Sequence, residues 1–197
     1  GTQREVRFFI YGSLAGGTGS GANLTVAYLC RQLAKNAGLP DIGVKVYGCF
    51  FLPSLFRPQV GQELVNSINA NGYAALKEIE HLMELRYRNA PSTTDENVRE
   101  EYVHDPRANP SRSLADVDYV DGAPFDWAYL VDQPQGMTVD PAEIYRAVGE
   151  VALLQMFSPI LRKQDSANDN FEKLQMDARN GYFAVQYGSI GAAVVEF

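Results

Sequence analysis

Residues 15–21 read Ala-Gly-Gly-Thr-Gly-Ser-Gly, four glycines within six positions and two hydroxyls between them. Inside a helix each glycine costs about 1 kcal/mol relative to alanine, so the run is present for what its bare backbone can do. Glycine lets the chain turn with positive φ and lets a ligand come within hydrogen-bond distance of the amides. Before a helix, such a turn adds free N–H groups and a partial positive charge, which together suit an anion. Gly16, Gly17, Gly19 and Gly21 are expected to shape the turn, and Thr18 and Ser20 to donate hydroxyl hydrogen bonds to a phosphate. Bonds to a charged group contribute about 1.5–3 kcal/mol each, so a few suffice. The competing account, a tight turn that only packs strand on helix, needs one or two glycines rather than four.

Other chemistry is thin. His81 and His104 stand far apart, and Cys30 and Cys49 lie inside apolar stretches, as buried free thiols do. No spacing gathers the roughly four ligands zinc needs, and no cysteine–histidine pair is indicated, so neither a metal site nor a catalytic residue is assigned. A Walker loop would end Gly-Lys-Ser/Thr, whereas Gly21 is followed by Ala22-Asn23. A dinucleotide turn on Gly17, Gly19 and Ala22 would want an acid ending the second strand, which instead ends Phe51-Leu52-Pro53-Ser54.

The elements that must position the glycine run follow from periodicity. Residues 5–11 are β-branched and aromatic, as in a short buried strand. A helix is expected over 22–37, with Val26, Leu29, Cys30 and Leu33 on its core face and a stop at Gly38 and Pro40. A second strand spans 44–52, and a second helix 62–85, with Val65, Ile68, Ala75, Leu76, Ile79 and Met83 along one side. Residues 87–124 are rich in Pro, Asn, Asp, Arg and Ser and read as a solvated insertion with a short helix at 96–102. A third strand covers 127–131. The third helix starts with Asp140 as N-cap, Pro141 in the first turn and Glu143 three residues after the cap. Its expected face is Ile144, Ala147, Val148, Val151 and Leu154. After a polar stretch at 162–170, apolar segments at 182–187 and 192–197 are split by Gly188-Ser189-Ile190-Gly191.

Strand and helix alternate three times, so the expected fold is α/β, a mostly parallel sheet with helices on both faces, in one domain of 197 residues. Ligands of such sheets sit beyond the carboxyl ends of the strands, which selects the loops 12–21, 53–58 and 132–139. Apolar residues at 46% and charged residues at 21% exclude wholesale disorder. The net charge of −7 argues against nucleic acid or an anionic membrane as partner. No apolar stretch approaches the ~20 residues of a membrane helix. No basic start with an apolar run and cleavage site is present, so a cytoplasmic location is expected. The chain begins Gly1-Thr2-Gln3 and ends in an apolar stretch, as a segment of a longer protein would.

The motif from Ala15 to Gly21 is similar at all seven positions to the signature loop of tubulin and its bacterial relative FtsZ. Phe51-Leu52-Pro53-Ser54 resembles the proline-ended strand after the signature helix of that family. Tyr129-Leu130-Val131-Asp132-Gln133 resembles the later strand whose terminal Asp-Asn or Pro-Asn reaches the nucleotide's base. Asn71-Gly72-Tyr73-Ala74-Ala75-Leu76-Lys77-Glu78 is similar to a helical segment of the bacterial proteins called tubulin-like. The resemblance spans about 5–155 and implies a Rossmann-like, GTPase-type fold of which this chain holds a part. It implies GTP or GDP, with Mg2+ as companion, phosphates on Ala15 to Gly21, and the base or ribose on Asp132 and Gln133. Asn69 and Asn71 are further candidates for the ribose. It also implies a homo-oligomer or filament, with hydrolysis completed by an acid from the neighbouring subunit. No residue matches that acid; Asp169 and Asp177 lie in the right half of the chain but in a different context. The alternative is an interaction or scaffold domain whose glycine loop is purely structural and turns over no nucleotide.

Overall fold

A computed structural model describes residues 6–39, 43–85, 100–102, 118–120, 122–133, 139–157 and 187–189. Strand β1 is Val6–Ser13 and β2 is Val44–Phe51. Two short strands, β3 (Glu100–Tyr102) and β4 (Asp118–Val120), are followed by β5 (Trp127–Val131) and β6 (Tyr187–Ser189). Helix α1 is Gly17–Asn36, α2 is Gln62–Met83 and α3 is Pro141–Phe157, with a 3-10 turn at Pro53–Gln59.

The main sheet has the order β1-β2-β5-β6 and is parallel throughout. Phe9 pairs with Tyr47, which pairs with Trp127; Tyr11, Cys49 and Tyr129 form the next such row. Alternation along β2 separates two cores. Val44, Val46 and Phe50 face α1 and α2, with Ile10, Leu24, Ala27, Ile79, Leu82 and Phe125 around them. Tyr47 and Cys49 face the other way, with Trp127, Tyr129, Leu55 and Val148 of α3. Helices therefore cover both faces, and the α/β class expected from the alternation is the class observed.

Several boundaries differ from expectation. Helix α1 starts at Gly17 rather than Ala22, so the glycines form its first turn instead of preceding it. Its core face is also different. Val26, Leu29 and Leu33 are 40%, 41% and 64% exposed, while Asn23, Leu24, Ala27, Tyr28 and Ala34 are buried. Polar anchors turn the helix this way. Tyr28 donates its hydroxyl to the Gly122 carbonyl, and Arg31 donates Nε to the Pro124 carbonyl and Nη2 to Asp126. Asp126 also accepts from the Val46 amide at 2.8 Å and lies 3.6 Å from Lys45. Ala123 and Pro124, expected in the solvated insertion, are thereby drawn into the core beside Phe125.

Glu100–Tyr102, expected at the end of a short helix over 96–102, instead pairs antiparallel with Asp118–Val120. Gly188 and Ser189, read as a break, lie within β6. On α2 only the half from Gly72 onward supplies buried residues, whereas Val65 and Ile68 are half-buried. On α3 the buried positions are Val148, Ala152 and Gln155, and Leu154 is exposed. The expected N-cap does form: Asp140 accepts from the Ala142 amide at 3.0 Å. The polar stretch at 162–170, the segment 192–197, Asp169 and Asp177 lie outside the described residues.

Candidate functional site

The carboxyl edge of the sheet gathers three chain segments. At the end of β1 the chain bends through Leu14, Ala15 and Gly16 before α1 begins. The bend is tied to its neighbour, since the Leu14 amide donates to the Phe51 carbonyl at 3.0 Å and Leu14 is fully buried. The Ala15 amide donates to Ser13 Oγ at 3.1 Å. Gly16 occupies the cap position in extended conformation and brings no side chain to the amides that follow. The first turn carries no acidic residue. The amides of Gly17, Thr18 and Gly19 thus belong to the donors that a helix start leaves without intrahelical partners, whereas the Ser20 amide donates to the Gly16 carbonyl at 3.1 Å. With the partial positive charge of the helix start, this is an arrangement for an anion. The start of α3 lies along the same edge and is different, because the Asp140 carboxylate already caps it.

The glycines serve a purpose other than positive φ. Among the described residues only Gly38 has a positive φ, of 74°. At Gly19 a Cβ would collide with the carbonyl oxygen of Ser13, so at residue 19 α1 approaches the β1 backbone too closely for a side chain. At Gly16, Gly17 and Gly21 a Cβ would meet nothing within 4 Å. Gly16 and Gly17 are exposed, so their open side is available to a ligand. Ser20 also differs from expectation: its hydroxyl donates to the Gly16 carbonyl at 2.8 Å and so braces the turn. Thr18 is exposed in the first turn.

Helix α2 holds this turn in place. Asn71 donates Nδ2 to the Ala15 carbonyl at 3.1 Å, and at the next residue, Gly72, a Cβ would strike the ring of Pro53. Successive residues of one helix thereby set the spacing between the glycine turn and the segment after β2. Asn71 is thus next to the turn, engaged with its backbone. Asn69 sits on another flank of α2, where its Oδ1 accepts from Arg57 Nη2 at 3.1 Å.

The third segment follows β5. The Leu52 amide donates to the Val131 carbonyl at 2.9 Å, bringing the ends of β2 and β5 together. Beyond them Ser54 donates its hydroxyl to Asp132 Oδ1, which also accepts from the Gln133 amide at 2.7 Å. Asp132 is exposed and Gln133 half-buried. The residues 15–21 and 132–133 therefore share one edge, with β2 between them, about 10 Å apart by two strand spacings. Ser54 was missed by the sequence reading; its only signal is its place directly after the proline that ends β2.

Away from this edge, burial pushes the Cys49 thiol up to about 12. Burial, with Cys49 and Tyr129 nearby, raises the Tyr11 phenol to about 12. Among the described residues no group of three or more His, Cys, Asp or Glu side chains could hold a metal ion. None of the described helices is long and apolar enough to cross a membrane. A family model described as tubulin-like matches residues 1–197. No curated protein and no solved structure matches the chain.

Proposed function

The chain belongs to the tubulin-like family, and we propose that it is the nucleotide-binding module of a self-associating protein, directed to GTP or GDP. The observation that carries this reading is the uncapped start of α1, where glycines leave the amides bare and a side open. Gly17, Thr18 and Gly19 offer amides to the phosphates, and Thr18 adds its hydroxyl. Gly19 shapes the turn from behind, Ala15, Gly16 and Ser20 brace it, and Gly21 stays open on the side of the ligand. Asp132 and Gln133 face the sugar or base at the far end of the same edge. Asn71 acts through the Ala15 carbonyl, and Asn69 is the more remote of the two asparagines from the turn. Mg2+ accompanies the triphosphate, held by phosphate oxygens and water.

All of this belongs to one α/β unit into which residues 87–124 are inserted, in a protein of the cytoplasm. Hydrolysis needs an acid presented by a neighbouring subunit, and a head-to-tail contact of that kind propagates into a filament. These 197 residues alone are therefore expected to hydrolyse GTP negligibly and to form no long filaments. Calorimetric titration with GTP, GDP and ATP tests the reading. Binding with a preference for guanine supports it, and no heat with any nucleotide leaves the scaffold account standing. Phosphate release rising more than linearly with protein concentration would show that these residues complete a hydrolytic site between copies.

A further inference from the structure

Ser54 has no part in the nucleotide reading so far, yet it is bonded to the Asp132 carboxylate at the far end of the site. We infer that Ser54 is a positioning residue that aims Asp132 at the sugar hydroxyls of the bound nucleotide, so that the site selects ribonucleotides over deoxyribonucleotides. The inference rests on the nucleotide reading above and adds a specificity to it.

A carboxylate repels phosphate and can only accept hydrogen bonds, so Asp132 marks the end of the ligand that carries donors and no charge. It stands after β5, two strands away from the glycine turn after β1, about 10 Å by strand spacing. That places it beyond the phosphates, along the path the nucleoside takes. Of the two carboxylate oxygens, Oδ1 is occupied: it accepts from the Ser54 hydroxyl and from the Gln133 amide. Two donors on one oxygen fix the plane of the carboxylate and leave Oδ2 to receive the ligand. Neighbouring sugar hydroxyls are donors that an acceptor-only group can satisfy without a matching donor of its own. The base edge, which mixes donors and acceptors, suits the Gln133 carboxamide instead.

Ser54 owes its place to the backbone. Pro53 ends β2, packs against Gly72 of α2, and starts the 3-10 turn in which Ser54 is the second residue. The Leu52 amide clamps that end of β2 to the end of β5, so the hydroxyl and the carboxylate are held face to face. Removal of the hydroxyl leaves Asp132 with the Gln133 amide alone and frees its side chain to rotate.

The experiment is a titration of wild type, Ser54→Ala, Ser54→Thr and Asp132→Asn with GTP, 2′-deoxy-GTP and 3′-deoxy-GTP, with thermal unfolding of each variant. Wild type is expected to prefer GTP over 2′-deoxy-GTP by roughly tenfold or more, the weight of a hydrogen bond to a charged group. Ser54→Ala and Asp132→Asn should bring GTP down to the affinity of 2′-deoxy-GTP while leaving affinity for 2′-deoxy-GTP unchanged. Ser54→Thr, which keeps the hydroxyl, should restore the preference. A merely structural role would lower affinity for all three nucleotides together, or lower the Tm, and would overturn the inference. Equal binding of GTP and 2′-deoxy-GTP by wild type would also overturn it while leaving nucleotide binding intact. No binding of any nucleotide would remove the reading on which it stands.

Discussion

Alanine at Gly17 and at Gly19 should separate what the glycine turn does for the fold from what it does for a ligand. Both residues lie in the first turn of α1, and neither has a positive φ, so alanine fits the backbone at both. In a helix that exchange is favourable by up to about 1 kcal/mol. At Gly17 nothing lies within 4 Å of the added Cβ, so nothing opposes the gain. Gly17→Ala should stabilise the fold by about 0.4–1 kcal/mol, raising the Tm by about 1–4 °C for a chain of this length. At Gly19 the Cβ would overlap the Ser13 carbonyl oxygen and stand 3.2 Å from the Ser13 carbonyl carbon and nitrogen. These are backbone atoms of β1, which cannot swing aside as a side chain would. Overpacking of this kind costs about 2–3 kcal/mol, leaving a net loss of about 1–2 after the helical gain. The Tm should then fall by about 2–8 °C.

Nucleotide affinity should drop about tenfold or more in both variants. In Gly17→Ala the methyl group fills the open side of the amides, and in Gly19→Ala the turn itself is displaced. Thermal unfolding followed by circular dichroism, with calorimetric titration of GTP, reads both quantities. If Gly19→Ala proves as stable as Gly17→Ala, close approach of β1 and α1 is not the reason for glycine at residue 19. If Gly17→Ala binds GTP as wild type does, the phosphates do not sit on the open side of the turn.

Thr18→Ala should weaken GTP binding roughly tenfold with the Tm unchanged, through one lost hydrogen bond to phosphate; unaltered affinity would remove Thr18 from the site. Asn71→Ala should lower the Tm of the ligand-free protein by about 2–4 °C, since it releases the Ala15 carbonyl at about 1 kcal/mol. An unchanged Tm would show that the Asn71 bond does not hold the turn. Arg31→Ala should cost about 2 kcal/mol, because it removes the donor to Pro124 and Asp126 that seats α1 on the chain before β5. Urea unfolding measures it, and a loss below 0.5 kcal/mol, roughly that of an exposed ion pair, would contradict the anchoring role. Stability should also fall at alkaline pH. Cys49 and Tyr11 ionise near 12 in the fold but from 9.0 and 10.0 in the unfolded chain. Their contribution is complete below pH 9 and is lost as pH rises toward 12. Cys49→Ala should flatten that decline, and a decline of the same slope would show that the thiol is not its source.

The sequence alone determined three strands of the main sheet, β1, β2 and β5, and the class of the fold. The runs at 44–51 and 127–131 are short, apolar and bounded by proline, glycine or aspartate, and local chemistry of that kind does not depend on what packs beside it. Asp140 announced α3 for the same reason, since a cap acts on amides only two or three residues away. Composition likewise located the glycine turn, because four glycines at the mouth of a helix have few other uses. What the glycines do was decided by the tertiary structure. The sequence suggests positive φ, yet Gly19 is required by the approach of the Ser13 backbone, which no local pattern records. The facing of α1 was hidden in the same way. Its apolar stripe of Val26, Leu29 and Leu33 points outward, whereas the polar Asn23 and Arg31 lie toward the core. Arg31 is turned inward by the Pro124 carbonyl and the Asp126 carboxylate, partners more than ninety residues away along the chain. Hydrophobic periodicity ranks residues by their own transfer free energy, and it is blind to a polar side chain whose partner arrives only with the fold. Ser54 and Asp132 met for that reason too: two unremarkable polar residues, 78 positions apart, become neighbours because β2 and β5 are adjacent and parallel.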